Sequence, residues 1–256
     1  MKLVARDVCF GYGANPVLDK VSLQVESGSV FGLLGANGAG KSTALRILNG
    51  QLHAQAGEVM IGEQRLSQMS VRQMACVMAT VPQNPKALFG FSVREVVMMG
   101  RRPHHSLMSA LDARDVEAGE EAMADCGLLE LAERPVTELS GGEVQLAFVA
   151  RALAQQTDVL LLDEATSSLD ISHTSIILSI IKQRVAKGLT VVSVVHDLNT
   201  AVSFCDSIGF LVEGELIGPG DPRELITSET LTRVYGTEEK LIKIHQDPFF
   251  VECQLA

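Results

Sequence analysis

The sequence predicts an α/β fold: a phosphate-loop core on a mixed or parallel sheet, preceded by an antiparallel β part and joined by a helical part. Three observations carry this. The glycine-rich pattern G-x-x-x-x-G-K-[ST] fits Gly35 to Ser42 and directly follows the apolar run Val30-Phe31-Gly32-Leu33-Leu34. Two more apolar runs, Val159–Leu162 and Thr190–Val195, each follow a helical pattern, and strands alternating with helices imply right-handed crossovers and parallel pairing. Before them, the first sixty residues alternate apolar and polar positions, as one-sided antiparallel strands do.

The elements follow in order. Leu3, Ala5, Val8 and Phe10, then Val21, Leu23 and Val25, read as paired strands separated by the turn signals Gly11–Pro16 and Ser27-Gly28-Ser29. Gly57–Gly62 extends that small sheet. Val30–Leu34 is a buried strand, and Ala44–Leu48 the helix after it. From about Pro85 to Thr137 apolar residues recur at helical spacing: Val93, Val96 and Val97, then Ala118, Ala122 and Met123. A helix over Gly142–Gln155, the strand Val159–Leu162, a helix over Ser172–Lys187 and the strand Thr190–Val195 complete the core. Glu213–Gly220 reads as a hairpin turn and Pro222–Tyr235 as helical, while the last twenty residues show no chemistry. The expected organisation is a single domain in four stretches, 1–84, 85–141, 142–225 and a C-terminal extension 226–256.

Bulk properties exclude several classes. With 46% apolar and 20% charged residues, the 256-residue chain is long enough to bury a sizeable core. A net charge of −10 gives no basic footprint, so nucleic acid is not an expected partner. No uninterrupted apolar run reaches the length of a membrane span, and charge returns too early after Met1 for a signal peptide. The five cysteines, Cys9, Cys76, Cys126, Cys205 and Cys253, never stand in C-x-x-C spacing, which argues against a disulfide framework or a zinc cage.

In open parallel sheets ligands sit at the carboxyl ends of strands, where the loops after Leu34, Leu162 and Val195 all lie. In the phosphate loop, Gly35, Asn37, Gly38, Ala39 and Gly40 let several backbone N–H groups face one phosphate chain. Lys41 adds a full positive charge, Ser42 offers a hydroxyl to Mg²⁺, and Thr43 extends the motif at the helix start. Asp163 ends an apolar strand, where a carboxylate can hold Mg²⁺ through water, and Glu164 is the candidate to orient and deprotonate an attacking water. His196 follows another apolar strand and is the candidate contact to the terminal phosphate, whereas His104 and His105, being adjacent, do not share one face for a metal. Ser140, Gly141 and Gly142 open a helix and form a second anion-binding terminus.

Leu139-Ser140-Gly141-Gly142-Glu143 closely resembles the LSGGQ signature of ATP-binding-cassette ATPases, and the resemblance runs in order along nearly the whole chain. It implies the cassette ATPase fold, with Tyr12 stacking on adenine and Gln83 of Val81-Pro82-Gln83 acting at the metal and in catalysis. It further implies Ser167-Ser168-Leu169-Asp170 as the D-loop and His196 as the switch histidine. The cofactors implied are ATP and Mg²⁺. The implied assembly is a head-to-tail homodimer in which Ser140, Gly141 and Gly142 bind the γ-phosphate held by the second copy. Two positions depart from the family pattern: Glu143 stands where Gln is commonest, and Val144 and Leu146 stand where many relatives carry Arg.

The stretch Phe91–His104 is similar to the SVREVV-x-MGR-x-PH segment of ATPases serving iron–siderophore, haem and cobalamin uptake. That resemblance implies an importer subunit at the cytoplasmic face of the inner membrane. Residues 83–104 would dock an integral membrane permease that works with a substrate-binding protein. Zinc or manganese importers carry a similar stretch. A soluble cassette protein of DNA repair or translation would instead show long coiled-coil insertions or two cassettes, and neither is present.

Overall fold

The computed structural model describes residues 1–85, 90–105, 110–167, 169–238, 241–246 and 249–253. In chain order the first elements are β1 (Leu3–Tyr12), β2 (Asn15–Val25), β3 (Val30–Leu34), α1 (Lys41–Leu48), β4 (Ala56–Ile61) and β5 (Gln64–Arg65). Next come α2 (Val71–Val77), β6 (Met78–Val81), α3 (Val93–Met98), α4 (Ala113–Asp125), α5 (Gly141–Ala154), β7 (Val159–Leu162) and α6 (Ile171–Ala186). The chain ends through β8 (Thr190–Val194), α7 (Leu198–Phe204), β9 (Ser207–Val212), β10 (Glu215–Gly220), α8 (Pro222–Leu225), α9 (Ser228–Tyr235), β11 (Ile242–Gln246) and β12 (Phe249–Cys253). Two compact units result, Met1–Gln68 with Thr190–Ala256, and Met69–Leu189.

In the first unit an antiparallel sheet runs β2-β1-β4-β5. Of the apolar positions read from the sequence, Leu3, Ala5, Val8, Val21, Leu23 and Val25 are buried and Phe10 is half-buried, while β1 also buries Val4 and so departs from strict alternation. The second sheet of this unit is mixed, in the order β10-β9-β3-β8. Strand β3 pairs in parallel with both β8 and β9, while β10 returns antiparallel on β9. All five residues of β3 and all five of β8 are buried, as strands covered on both faces must be.

In the second unit β6 and β7 pair in parallel, and the four residues of β7 are fully buried. Helices α3, α4 and α5 supply a helical core of Val93, Val97, Ala122, Met123, Leu146 and Val149. Each of these three helices begins with a capping box, Ser92 with Glu95, Asp112 with Asp115 and Ser140 with Glu143. Among the described residues no helix is long and apolar enough to cross a membrane.

Candidate functional site

In the first unit the glycine-rich loop leaves the carboxyl end of β3. Its backbone is left-handed at Gly38 (φ 83°) and Gly40 (φ 102°). A Cβ at Gly40 would lie 2.9 Å from Val17 Cγ1 and 3.2 Å from its carbonyl oxygen, so glycine is required there twice over. Lys41 is buried and its Nζ donates to Gly35 O at 2.7 Å and Ala36 O at 2.9 Å, which folds the ammonium back across the loop. Gly40 gives α1 no side-chain cap, unlike Ser92, Asp112 and Ser140 on their helices. An anion can therefore take the place that a capping oxygen fills elsewhere. Asn37, Gly38 and Ser42 are exposed, Ala39 is half-buried and Thr43 is packed inward.

Strand β8 runs beside β3, and Val195 N donates to Leu33 O at 3.1 Å before His196 emerges exposed. The phosphate loop and His196 thus leave neighbouring parallel strands at their carboxyl ends. Tyr12 ends β1 as an exposed residue with its ring edge-on to Phe10 at 5.0 Å, which leaves a ring face for stacking.

In the second unit β6 and β7 end together in the same way, and Asp163 N donates to Val81 O at 3.0 Å. This register brings Gln83 to Glu164, whose carboxylate accepts from the Gln83 amide. Glu164 holds a left-handed backbone, φ 49°, which costs a non-glycine residue about 1 kcal/mol or more. Its carbonyl oxygen accepts from both the N–H and the hydroxyl of Ser167 at 3.0 Å, which holds that conformation. Within this unit Gln83 and Asp163 offer carboxamide and carboxylate oxygens, the kind of donor a hard divalent cation takes.

The helix start expected to meet a second anion is the first turn of α5, which is closed by its own capping box. Ser140 caps α5, accepting from Glu143 N at 3.3 Å, while the Glu143 carboxylate accepts from Ser140 N at 2.7 Å and from its hydroxyl at 2.8 Å. Those bonds from the Ser140 backbone and hydroxyl hold the Glu143 carboxyl below its usual range. Asp170 caps α6 and accepts from His173 N at 2.9 Å, and its carboxylate also meets His173 Nδ1 at 2.8 Å. The imidazole lies on Gly142, where a Cβ would come within 2.5–2.6 Å of three ring atoms. Signature and D-loop residues therefore share one cleft of about 480 Å³, lined in part by Ser140, Gly141, Gly142, Asp170 and His173. Ser168 of the expected D-loop lies outside the described residues.

A family model, ABC transporter, matches residues 18–167. The chain belongs to the ABC transporter family. It is an ATPase of that family and binds ATP. It is 40% identical over 240 residues to the hemin import ATP-binding protein HmuV of Thermobifida fusca, covering 94% of this chain and 84% of the relative. It is 34% identical over 255 residues to the petrobactin import ATP-binding protein FpuD of Bacillus anthracis, covering 99% and 88%. Among solved structures it resembles a chain of a metal-chelate type ABC transporter in an inward-facing conformation, with TM-score 0.83, 28% identity and coverage of 98% and 95%.

The structure also gives this ABC ATPase partners that its motifs did not announce. The Tyr235 hydroxyl reaches the backbone of Gly35, the first residue of the phosphate loop, while burial pushes its pKa up. The Gly100–His105 stretch holds a buried polar network. Arg101 Nε donates to Asp115 at 2.9 Å, its Nη1 donates to Ala154 O at 2.7 Å, and His105 meets the other Asp115 oxygen at 2.6 Å. His104 turns to Gln155 O at 2.8 Å instead. Leu146 is core and Val144 lines the signature cleft, so the two positions that lack Arg carry packing in this chain. Residues 86–89 of the 83–104 stretch lie outside the described residues.

Proposed function

We propose that this chain is the ATP-hydrolysing subunit of an importer for an iron chelate of the haem or siderophore type. The observation that carries the reading is the pair of relatives named for hemin and petrobactin import, matched over more than nine-tenths of this chain. The metal-chelate type neighbour agrees with it. The subunit would sit peripherally at the cytoplasmic face of the membrane, bound to an integral permease through residues 83–104, with a substrate-binding protein delivering cargo on the far side.

In this reading the loop from Gly35 to Gly40, with Lys41 and Thr43, cradles the ATP phosphates, and Tyr12 stacks on adenine. Ser42, Gln83 and Asp163 would hold Mg²⁺, which when bound neutralises charge on the β- and γ-phosphates. Glu164 takes the proton of the attacking water, its carboxylate oriented by Gln83, and His196 contacts the γ-phosphate. Ser140, Gly141 and Gly142 receive the γ-phosphate of a second copy, and Asp170 lines that same cleft. ATP thereby closes a dimer whose movement is transmitted to the permease, and hydrolysis releases it.

The test is ATPase stimulation in proteoliposomes holding the complete importer. Haem-loaded or ferric-siderophore-loaded binding protein should raise turnover above the unloaded form. Stimulation only by a zinc- or manganese-loaded binding protein would assign the chain to a metal-ion importer instead.

A further inference from the structure

The switch histidine stands on a short support. Strand β8 ends at Val194, His196 follows, Asp197 caps α7, and α7 itself is only seven residues long with Ala201 and Phe204 as its buried anchors. Its third contact comes from the far end of the chain. Asn199 Nδ2 donates to Val251 O at 3.3 Å, and Val251 N donates to Asn199 Oδ1 at 2.8 Å. One carboxamide thus satisfies both backbone groups of a single β12 residue, as a neighbouring strand would. Val251 lies opposite Ile244 in the β11–β12 hairpin, yet both its backbone groups go to Asn199. The Phe249 ring of the same strand sits 5.9 Å from the Arg223 guanidinium, which fixes the hairpin a second time within this unit.

We propose that Asn199 is a positioning residue for His196, and that the C-terminal hairpin braces the switch helix through it. The proposal rests on the role given to His196 above. A helix this short contributes little stability by itself, so its orientation follows from what holds its exposed side. Asn199 lies within one turn of His196, and loss of its two bonds lets the first turn of α7 shift. A shift of that kind disturbs the geometry of the reaction without touching the residues that bind nucleotide.

The experiment measures steady-state ATPase of the full chain for Asn199→Ala, Asn199→Asp, Val251→Pro and His196→Ala, with thermal unfolding of each. Asn199→Ala should lower kcat about tenfold and leave KM for ATP within about twofold, with an unchanged thermal midpoint. Val251→Pro removes the N–H that Asn199 accepts but also a buried side chain and the free φ of β12, so it counts only with an unchanged thermal midpoint, and should then act in the same direction. The double variant should be no worse than Asn199→Ala, because both changes break one contact. Asn199→Asp keeps the acceptor and should fall between wild type and Asn199→Ala. Wild-type kcat in Asn199→Ala beside an inactive His196→Ala overturns this inference and leaves the proposed function standing. Loss of kcat that merely tracks a lowered thermal midpoint also overturns it. Full turnover in His196→Ala removes the role of the switch histidine, and this proposal with it.

Discussion

Replacing Asp115 by Ala should be among the most destabilising single changes in the second unit. The carboxylate is 2% exposed and serves three donors at once: Arg101 Nε at 2.9 Å, His105 Nε2 at 2.6 Å and Asp112 N at 2.8 Å. Burial alone pushes its pKa up, but the bonds from His105, Asp112 and Arg101 outweigh that and hold it well below the carboxylate range. Without it the Arg101 guanidinium, itself 7% exposed, remains inside with Ala154 O and Gln156 Oε1 as the acceptors of its side chain among the described residues. Breaking a buried ion pair from one side costs about 3–5 kcal/mol, and loss of the α4 capping partner adds to it. Urea denaturation followed by circular dichroism measures the change. The double variant Arg101→Met/Asp115→Leu should recover most of the loss, because two apolar side chains leave no buried charge. The sign with pH is fixed by the lowered folded pKa: the stabilisation is complete above about pH 4 and is lost as pH falls through the folded value. A loss below about 1 kcal/mol in Asp115→Ala would mean that the pair is open to water and not a buried one.

Other outcomes follow from the same geometry. Gly142→Ala should abolish most turnover while the fold survives, because its Cβ must displace the His173 ring from Asp170; adding His173→Ala should restore part of the activity in the same assay. Tyr12→Ala should weaken ATP binding by about 1–3 kcal/mol in titration calorimetry. Lys41→Ala should raise the ATP dissociation constant at least about tenfold in the same titration, the loss of one charge-assisted contact to phosphate.

The parts of the fold readable from the chain were those with local causes. Strands β3 and β7 are continuous apolar runs ended by polar loops, and the expected bounds Val30–Leu34 and Val159–Leu162 are the observed ones. The helices expected over Gly142–Gln155 and Ser172–Lys187 begin one residue earlier, at Gly141 and Ile171, because Ser140 and Asp170 act as their caps. The expected helical stretch Pro222–Tyr235 divides into α8 and α9, with Thr227 capping the second, a start signal hidden by the continuous apolar spacing. Helix α2 had a readable signal, the Ser70 to Gln73 capping box, but no strong apolar stripe, and it buries no residue fully. The terminal hairpin had a readable signal, Ile242 and Ile244 alternating with Lys243 and His245, but each of its strands is only five residues long. In the site, motif residues announced themselves, whereas Tyr235, His173 and Asn199 did not. Tyr235 meets Gly35 and Asn199 meets Val251 across long sequence separations, and His173 touches Gly142 only because α5 and α6 pack together. Nor could spacing reveal the left-handed backbone of Glu164.

The proposed function stands on two events, hydrolysis driven by Glu164 and the joining of two copies of the chain by ATP. Glu164→Gln tests both parts at once, with light scattering for mass and phosphate release for turnover. With Mg²⁺ and ATP the 27.5 kDa chain should shift to twice its mass and keep its nucleotide, with turnover at least about a hundredfold below wild type. A variant that stays at monomer mass with ATP bound, or that hydrolyses ATP at the wild-type rate, would rule out the ATP-joined dimer or the base role of Glu164.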